Sequence, residues 1–306
     1  MRDARPGRRT FLLTLTGAAL AGCRSPASDA RDAEFESALA ALERGGRLGV
    51  AVLDTRDGSV RGRRLDERLA MCSTFKLALA AMVLDRADRG GKALDARLRV
   101  EPRDLLKHAP FCKAALDAAT ARGETTAELT LAALAEAVQT TSDNTAANLL
   151  LRDLGGPAAF TAFCRTHGDG VTRLDRYEPE MNDVRPGDER DTATPRATAR
   201  LVARLFDGGL APGSRWTLRE WMFATKTGVN RVRRGLPADW IAGDKTGTGG
   251  GDGLTVKCND VVWIEPPGRA PLVVVAYYDA GVVAEWPSDA DEAVLADVGR
   301  AVARAF

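Results

Sequence analysis

The chain has few histidines and almost no net charge, and both deficits narrow its possible functions. Its two histidines, His108 and His167, offer little material for a histidine-based zinc site or a Ser-His-Asp triad. Its 43 Lys and Arg residues nearly balance 42 Asp and Glu residues, and a formal charge of +1 gives no reason to expect nucleic acid as a partner. A length of 306 residues is more than one hydrophobic core comfortably serves, which predicts two lobes.

The chain also lacks an apolar run long enough to span a membrane. The run from Phe11 to Ala21 is too short, and it follows several arginines, a pattern typical of a secretory signal peptide. The pair Arg8-Arg9 resembles a twin-arginine export signal, with a general export signal as the equal alternative. We therefore expect an exported protein with a signal peptide at residues 1–22 and a tether at 23–31.

Cysteines are scarce as well, five in all. Leu20-Ala21-Gly22-Cys23 resembles a bacterial lipoprotein cleavage box, in which Cys23 is the lipidated first mature residue; the alternative is a chance cysteine. The protein is then periplasmic or anchored to the bacterial cell envelope through Cys23. The remaining four allow three pairings, and we expect buried free thiols: Cys72, Cys112, Cys164 and Cys258.

Ser73 and Lys76 open a largely apolar run that extends to Leu84. Three residues is about one helical turn, so the two side chains are expected on one face at the start of a helix. A serine hydroxyl is a weak nucleophile that needs a base within hydrogen-bond reach, and a lysine one turn away can supply it. The helix N-terminus adds partial positive charge and unpaired N–H groups. The alternative is a helix-capping serine beside a solvated lysine.

Two later stretches, Ser142-Asp143-Asn144 and Lys245-Thr246-Gly247, complete a set of three motifs in order. Together with Ser73-x-x-Lys76 they resemble the serine β-lactamases and penicillin-binding proteins. A fourth stretch, Arg176 to Asn182, narrows the resemblance to class A β-lactamases, and the likeness covers nearly the whole chain after the leader. The residues alone also allow a helix-capping turn at Ser142-Asp143-Asn144 and a solvated acid at Glu178.

The resemblance implies a role for each residue of these motifs. Ser73 is the nucleophile, Lys76 or Glu178 takes its proton, and Glu178 activates the water that hydrolyses the acyl-enzyme. Ser142 relays a proton to the departing nitrogen, and the N–H groups of Ser73 and Thr248 form the oxyanion hole. The residues implied in binding substrate or water are Asn144, Asn182, Arg231, Lys245, Thr246, Gly247 and Thr248. Of these, Arg231, Lys245 and Thr246 hold the substrate carboxylate, and Asn182 helps hold the water.

The stretch from Val171 to Asp191 is polar and rich in turn formers, which predicts a functional loop or disorder. We expect Arg173 or Arg176 to pin it through Asp175 or Asp191.

Three further features border the predicted cleft. Thr227-Gly228 followed by Arg231 resembles family members that bind the substrate carboxylate with an arginine here, and a basic surface loop is the alternative. His108 stands where the family usually has an aromatic on one wall, and a surface histidine is the alternative. Gly249 to Gly253 is expected to be a flexible turn, about three residues longer than common in the family. In many carbapenem-hydrolysing members, a cysteine just before the nucleophile is bridged to a cysteine where this chain has Gly249. We therefore do not predict a Cys72–Cys258 bridge, and the sequence gives no basis for a statement about carbapenems.

The order of elements predicts an α/β fold, β-lactamase/transpeptidase-like, in which an antiparallel sheet flanked by helices carries an inserted all-helical lobe. Helices are predicted at 33–44, 73–85, 129–139, 145–153, 194–206, 214–224 and 289–306, and strands at 48–53, 60–65, 240–246, 261–264 and 272–278. The α/β lobe spans 32–68 and 225–306, and the helical lobe spans 69–224, including the loop 171–191.

The predicted function is hydrolysis of the β-lactam amide of penicillins or cephalosporins, giving antibiotic resistance. The resemblance implies a monomer without metal or organic cofactor. The alternatives are a penicillin-binding D-alanyl-D-alanine peptidase and a non-catalytic penicilloyl-sensing lipoprotein, and Glu178 with Asn182 argues against both.

Overall fold

A computed structural model describes residues 26–306, and the predicted signal peptide and Cys23 lie outside the described residues. The helices are α1 Pro26–Ala41, α2 Phe75–Asp88, α3 Pro110–Ala121, α4 Leu131–Thr140, α5 Asn144–Leu154, α6 Gly156–Thr166, α7 Pro195–Arg204, α8 Pro212–Phe223 and α9 Asp289–Ala305. The strands are β1 Arg47–Asp54, β2 Val60–Arg63, β3 Leu69–Ala70, β4 Arg97–Val100, β5 Ala127–Thr130, β6 Thr192–Ala193, β7 Ile241–Gly251, β8 Leu254–Glu265 and β9 Leu272–Val283. Within residues 26–306, no helix is long and apolar enough to cross a membrane.

The principal sheet has five strands in the order β2-β1-β9-β8-β7, and every neighbouring pair is antiparallel. Its strands come from both ends of the chain, and the helices α2 to α8 come from between them. Strand β7, which contains Lys245, lies at one edge and pairs with β8 so that Gly247 is opposite Asn259. The predicted antiparallel sheet flanked by helices is confirmed, whereas the lobe boundaries remain a prediction.

The sheet separates two hydrophobic cores because successive side chains of a strand point to opposite faces. On β8, Val261 packs into the core that contains α2, and Val262 packs into the core that contains α1 and α9. Helix α2 is apolar nearly all round and packs against α4, α5 and α8. Each of its fully buried leucines, such as Leu79, contributes about 2 kcal/mol by leaving water. This burial anchors the helix that begins beside Ser73.

Two predicted boundaries were wrong for identifiable reasons. The helix predicted at 129–139 begins at Leu131, because Ala127–Thr130 pairs with β4, and Thr130 caps the helix by accepting from the Ala133 N–H. The turn predicted at Gly249–Gly253 is mostly strand, since β7 continues to Gly251 with a bulge before it. The glycines there allow close packing, because a Cβ on Gly250 would lie 2.6 Å from the Ala284 carbonyl oxygen.

Sequence patterns also left some elements unassigned. Helices α3 and α6 were not predicted, and α1 begins at Pro26, within the predicted tether. The prediction for the thiols is confirmed: Cys72, Cys112, Cys164 and Cys258 are all free and buried.

Candidate active site

Ser73 lies in a short 3₁₀ turn, Cys72–Thr74, that leads directly into α2. The turn is held by the Thr74 hydroxyl, which donates to the Met71 carbonyl at 2.8 Å. Cys72 has a φ of 46°, in the left-handed region that non-glycine residues seldom occupy. The predicted helix start is therefore a 3₁₀ turn, and Ser73 is partly exposed on it.

Lys76 is fully buried, and its amine nitrogen contacts the Ser73 hydroxyl directly. Its Nζ donates to Ser73 Oγ at 2.9 Å and to the Ser142 carbonyl at 2.9 Å, and it also donates to Asn144 Oδ1. It forms an ion pair with Glu178 Oε1 at 2.9 Å. These four acceptors outnumber the three N–H donors of an ammonium group, so the donors are shared among them.

Ser142-Asp143-Asn144 is a capping turn, as the sequence allowed, and it also faces the cleft. Asp143 caps α5 by accepting from the Ala146 N–H at 2.8 Å, and its other oxygen accepts from the Phe111 N–H of α3 at 2.9 Å. One carboxylate therefore fixes the starts of two helices. Ser142 has a φ of 58°, and its hydroxyl receives a bond from Lys245 Nζ at 3.0 Å.

Glu178 is buried beside Ser73, although it is 105 residues away in the sequence. The Ser73 hydroxyl donates to Glu178 Oε1 at 3.2 Å, and Asn182 Nδ2 donates to Glu178 Oε2 at 2.7 Å. Asn182 Oδ1 is buried and has no hydrogen-bond partner in residues 26–306. This oxygen remains available to a donor beside the glutamate.

Two arginines pin the loop 171–191, as predicted. Arg173 pairs with Asp175, and Arg176 pairs with the fully buried Asp191. Asp191 Oδ1 also accepts from the backbone N–H groups of Asp175 and Arg176, at 2.7 and 3.0 Å. The loop is therefore ordered by charge-assisted bonds rather than by regular secondary structure.

Lys245 on β7 contacts Ser142, which Lys76 also contacts. Its Nζ is fully buried and donates to the Thr246 carbonyl as well as to Ser142 Oγ. Burial lowers the pKa of Lys245 well below its usual value, and the positive charge of Lys76 lowers it further. A substrate carboxylate beside this ammonium would oppose both effects.

Arg231 reaches the end of the same strand. Its guanidinium donates to Thr248 Oγ1 at 2.8 Å and to the Gly247 carbonyl at 3.1 Å, and it pairs with Glu292 at 3.1 Å. The Thr246 hydroxyl contacts the Thr227 hydroxyl at 2.7 Å. The hydroxyls of Thr246 and Thr248 are thus each in contact with a neighbouring side chain.

The chain matches the model of the beta-lactamase enzyme family over residues 33–306. It is 44% identical to a beta-lactamase of Streptomyces fradiae, over 99% of this chain and 98% of that protein. It is 43% identical to beta-lactamase L2 of Stenotrophomonas maltophilia, over 96% of this chain and 97% of that protein. The chain belongs to the beta-lactamase enzyme family.

Solved structures agree with that assignment. An ancestral class A β-lactamase superposes with a TM-score of 0.82 at 50% identity, covering 89% of this chain and all of that one. The putative class A β-lactamase PenP of Rhodopseudomonas palustris superposes with a TM-score of 0.81 at 44% identity, again covering 89% of this chain. The prediction of a class A serine β-lactamase is therefore confirmed, and the two alternative functions are not favoured.

Motif reasoning missed residues that position the β-lactamase site through its backbone. Asn148 is buried and clamps the Glu178 peptide, accepting from its N–H at 3.0 Å and donating to its carbonyl at 2.8 Å. A sequence signal existed, since Asn148 lies four residues after Asn144 on the same helix face. Asn259 and Glu292 also contact site residues, but no local pattern distinguished them.

The structure places His108 against the Ser142-Asp143-Asn144 turn. Its exposed ring contacts the Thr141 carbonyl at 3.1 Å, and its own carbonyl accepts from the Asn144 N–H at 2.9 Å. Gly249 on β7 lies against Cys72, since a Cβ on Gly249 would be 2.9 Å from Cys72 Sγ. Cys72 is a free thiol, in agreement with the prediction that it forms no bridge to Cys258.

Proposed function

We propose that this class A β-lactamase hydrolyses penicillins and cephalosporins through an acyl-enzyme on Ser73. The observation that supports this most strongly is the mutual contact of Ser73, Lys76 and Glu178, at 2.9 to 3.2 Å. A nucleophile, a buried cation and a carboxylate in one contact set are what nucleophilic catalysis with two proton transfers requires. Resistance to β-lactam antibiotics follows from this activity.

In acylation, Ser73 Oγ attacks the lactam carbonyl as its proton leaves. The sequence left Lys76 and Glu178 open as the acceptor. Both lie within reach of that proton, Lys76 Nζ at 2.9 Å and Glu178 Oε1 at 3.2 Å from Ser73 Oγ. We assign the transfer to Glu178, because a carboxylate accepts a proton in its ordinary charged form, whereas a lysine must first lose one. The positive charge of Lys76 then stabilises the developing alkoxide.

The negative charge on the lactam oxygen is stabilised by the N–H groups of Ser73 and Thr248, one from the helix start and one from β7. The ring nitrogen then takes a proton from the Ser142 hydroxyl. Lys76 and Lys245 both donate to Ser142 Oγ, at 3.4 and 3.0 Å, so the hydroxyl is supplied with donors that can replace its proton.

In deacylation, Glu178 removes a proton from water that attacks the ester. Asn182 supports this role, since its Nδ2 orients the Glu178 carboxylate and its Oδ1 is an unpartnered acceptor beside it. Water bound by the Glu178 carboxylate and by Asn182 Oδ1 would lie close to Ser73.

The substrate carboxylate is held by Lys245, Thr246 and Thr248, with Arg231 behind Thr248. Gly247 lets this strand lie directly against the turn that carries Ser73, since a Cβ there would be 3.1 Å from the Thr74 nitrogen. Asn144 binds the amide of the substrate side chain while its Oδ1 holds Lys76.

We also propose export and membrane anchoring. The arginines, the short apolar run and the Leu20 to Cys23 box support cleavage before Cys23 and its lipidation, with the catalytic domain acting as a monomer outside the cytoplasm.

The deciding experiment is turnover of a chromogenic cephalosporin by the purified domain, with mass spectrometry on the same sample and Ser73→Ala as the control. Many turnovers without a lasting adduct are expected for the wild type, and none for the variant. One equivalent consumed with a stable adduct on Ser73 would instead identify a penicillin-binding or sensing protein.

A further inference from the structure

Asn259 is a buried amide on β8 that has no part in the chemistry described above. Its Nδ2 donates to the Ala70 carbonyl at 2.8 Å and to the Met71 carbonyl at 3.2 Å. Its Oδ1 accepts from the Tyr278 N–H at 3.2 Å. The side chain therefore joins the central sheet to the backbone just before the nucleophile.

The segment that it holds has an unusual conformation. Ala70 and Met71 directly precede Cys72, whose positive φ is maintained only if its surroundings fix it. The Met71 carbonyl accepts bonds from the Thr74 hydroxyl and the Thr74 N–H besides the one from Asn259. Asn259 thus fixes the turn that aims the Ser73 N–H.

Asn259 also lies opposite β7, the strand that carries the Thr248 N–H. Asn259 is the direct partner of Gly247 in the β7–β8 ladder, next to Thr248. Arg231 ties the two strands together, since its Nη1 donates to both the Gly247 and the Asn259 carbonyls. Gly247 lies so close to the turn that a Cβ there would be 2.7 Å from the Met71 oxygen. Turn and strand therefore meet across Asn259.

We propose that Asn259 is a positioning residue that sets the separation of the Ser73 and Thr248 N–H groups. This proposal rests on the oxyanion role given to those groups under the proposed function. Oxyanion donors act only when they are fixed at the developing charge, and a misplacement of about 1 Å can cost on the order of 100-fold in rate.

The test uses Asn259→Leu, which keeps the approximate size and removes all three bonds. Asn259→Asp is the second variant, because it retains the acceptor for Tyr278 and replaces the donor to Ala70 and Met71 with a carboxylate oxygen that their carbonyls repel. The control is Val262→Ala on the same strand, which opens a cavity in the core on the other face of the sheet. For both Asn259 variants kcat/KM should fall about 10- to 100-fold, while Val262→Ala, although less stable, keeps its activity.

A spectroscopic readout separates positioning from mere stability. In a Glu178→Gln background the acyl-enzyme should accumulate, and the infrared stretch of its ester carbonyl reports hydrogen bonds to that oxygen. We expect this band to shift to higher frequency with Asn259→Leu or Asn259→Asp and to stay in place with Val262→Ala. An unchanged band, with activity equal to that of the Val262 control, would overturn the positioning role while wild-type turnover left the proposed function intact. A wild type that cannot hydrolyse β-lactams would instead refute the proposed function.

Discussion

Lys76 and Glu178 form a fully buried ion pair whose two members touch the same hydroxyl. Such a pair is costly to desolvate, and removing one partner leaves an uncompensated buried charge. The proton transfers proposed for these two residues, rather than stability, account for its presence at this place. The pair also determines how each single variant should behave.

Glu178→Ala should stall deacylation and leave slower acylation, because Lys76 loses its counter-charge and becomes able to accept the Ser73 proton. We expect kcat to fall by about 10²- to 10⁴-fold, as is usual for loss of a general base. Mass spectrometry should then show the Ser73 acyl-enzyme. Glu180→Ala, an exposed glutamate of the same loop, is the matched control and should keep wild-type turnover. A Glu178 variant that turned over normally would exclude this residue from the mechanism.

At this scale the sequence predicted the residues that belong to motifs and failed for those that act on the backbone. The family resemblance named Ser73, Lys76, Ser142 and Glu178 together, and the structure brings them into contact. Asn148 was missed although its spacing from Asn144 was a signal. Asn259 was missed because an amide that clamps backbone groups needs no particular neighbours in sequence.

The loop 171–191 is the element that carries the proposed base Glu178. Polar contacts hold it together with the buried side chains of Leu174 and Met181, which pack into the main core. Its composition predicted an irregular loop and its arginine anchors correctly. The fully buried Asp191 was named only as one of two possible partners, and the structure gives it three donors at its carboxylate.

Asp191→Asn should loosen that loop. The amide can no longer accept charge-assisted bonds from Arg176 at full strength, and one buried N–H donor is added without a clear acceptor. We expect a loss of about 1–3 kcal/mol in the free energy of unfolding and slower deacylation with acylation retained. Denaturant titration and stopped-flow measurement of both steps test this.

Glu189→Gln is the control in the same loop, because its exposed carboxylate pairs only loosely with Arg68, at 3.8 Å. It should change neither step. Equal effects of the two substitutions would mean that the Asp191 contacts do not order the loop.

At the scale of the whole molecule, the alternation of helix and strand patterns predicted a sheet assembled from both chain ends, and this is what forms. The lengths of its strands were underestimated, since β8 and β9 run to Glu265 and Val283, beyond their continuous apolar runs. Pairing with neighbours extends a strand past the residues that mark it in sequence, so register and length depend on tertiary contacts.

The assembled sheet buries two carboxyl groups on one face. Asp244 on β7 and Asp260 on β8 are fully buried and lie diagonally across the ladder, where Thr246 pairs with Asp260. Asp244 is bound by Arg233 at 2.8 Å, but Oδ1 of each aspartate has no donor within the described part of the chain. Burial raises the pKa of Asp244 to about 6, and burial together with the charge of Asp244 raises the pKa of Asp260 well above its usual value.

These two groups should make the protein less stable as pH rises from about 4 through 6. With a folded pKa above the unfolded one, the native state retains a proton that the unfolded chain has released, so their stabilising contribution is complete below pH ~4 and is lost as pH passes the folded pKa. Asp260→Asn replaces that proton with an amide N–H. The free energy of unfolding of the variant, relative to that of the wild type, should therefore rise across this range by on the order of a few kcal/mol. Urea midpoints measured between pH 4 and 8 check this, with the exposed Asp239→Asn as the control. A constant difference between Asp260→Asn and wild type across the range would show that Asp260 is already ionised in the native state, balanced by Arg231 and Arg233.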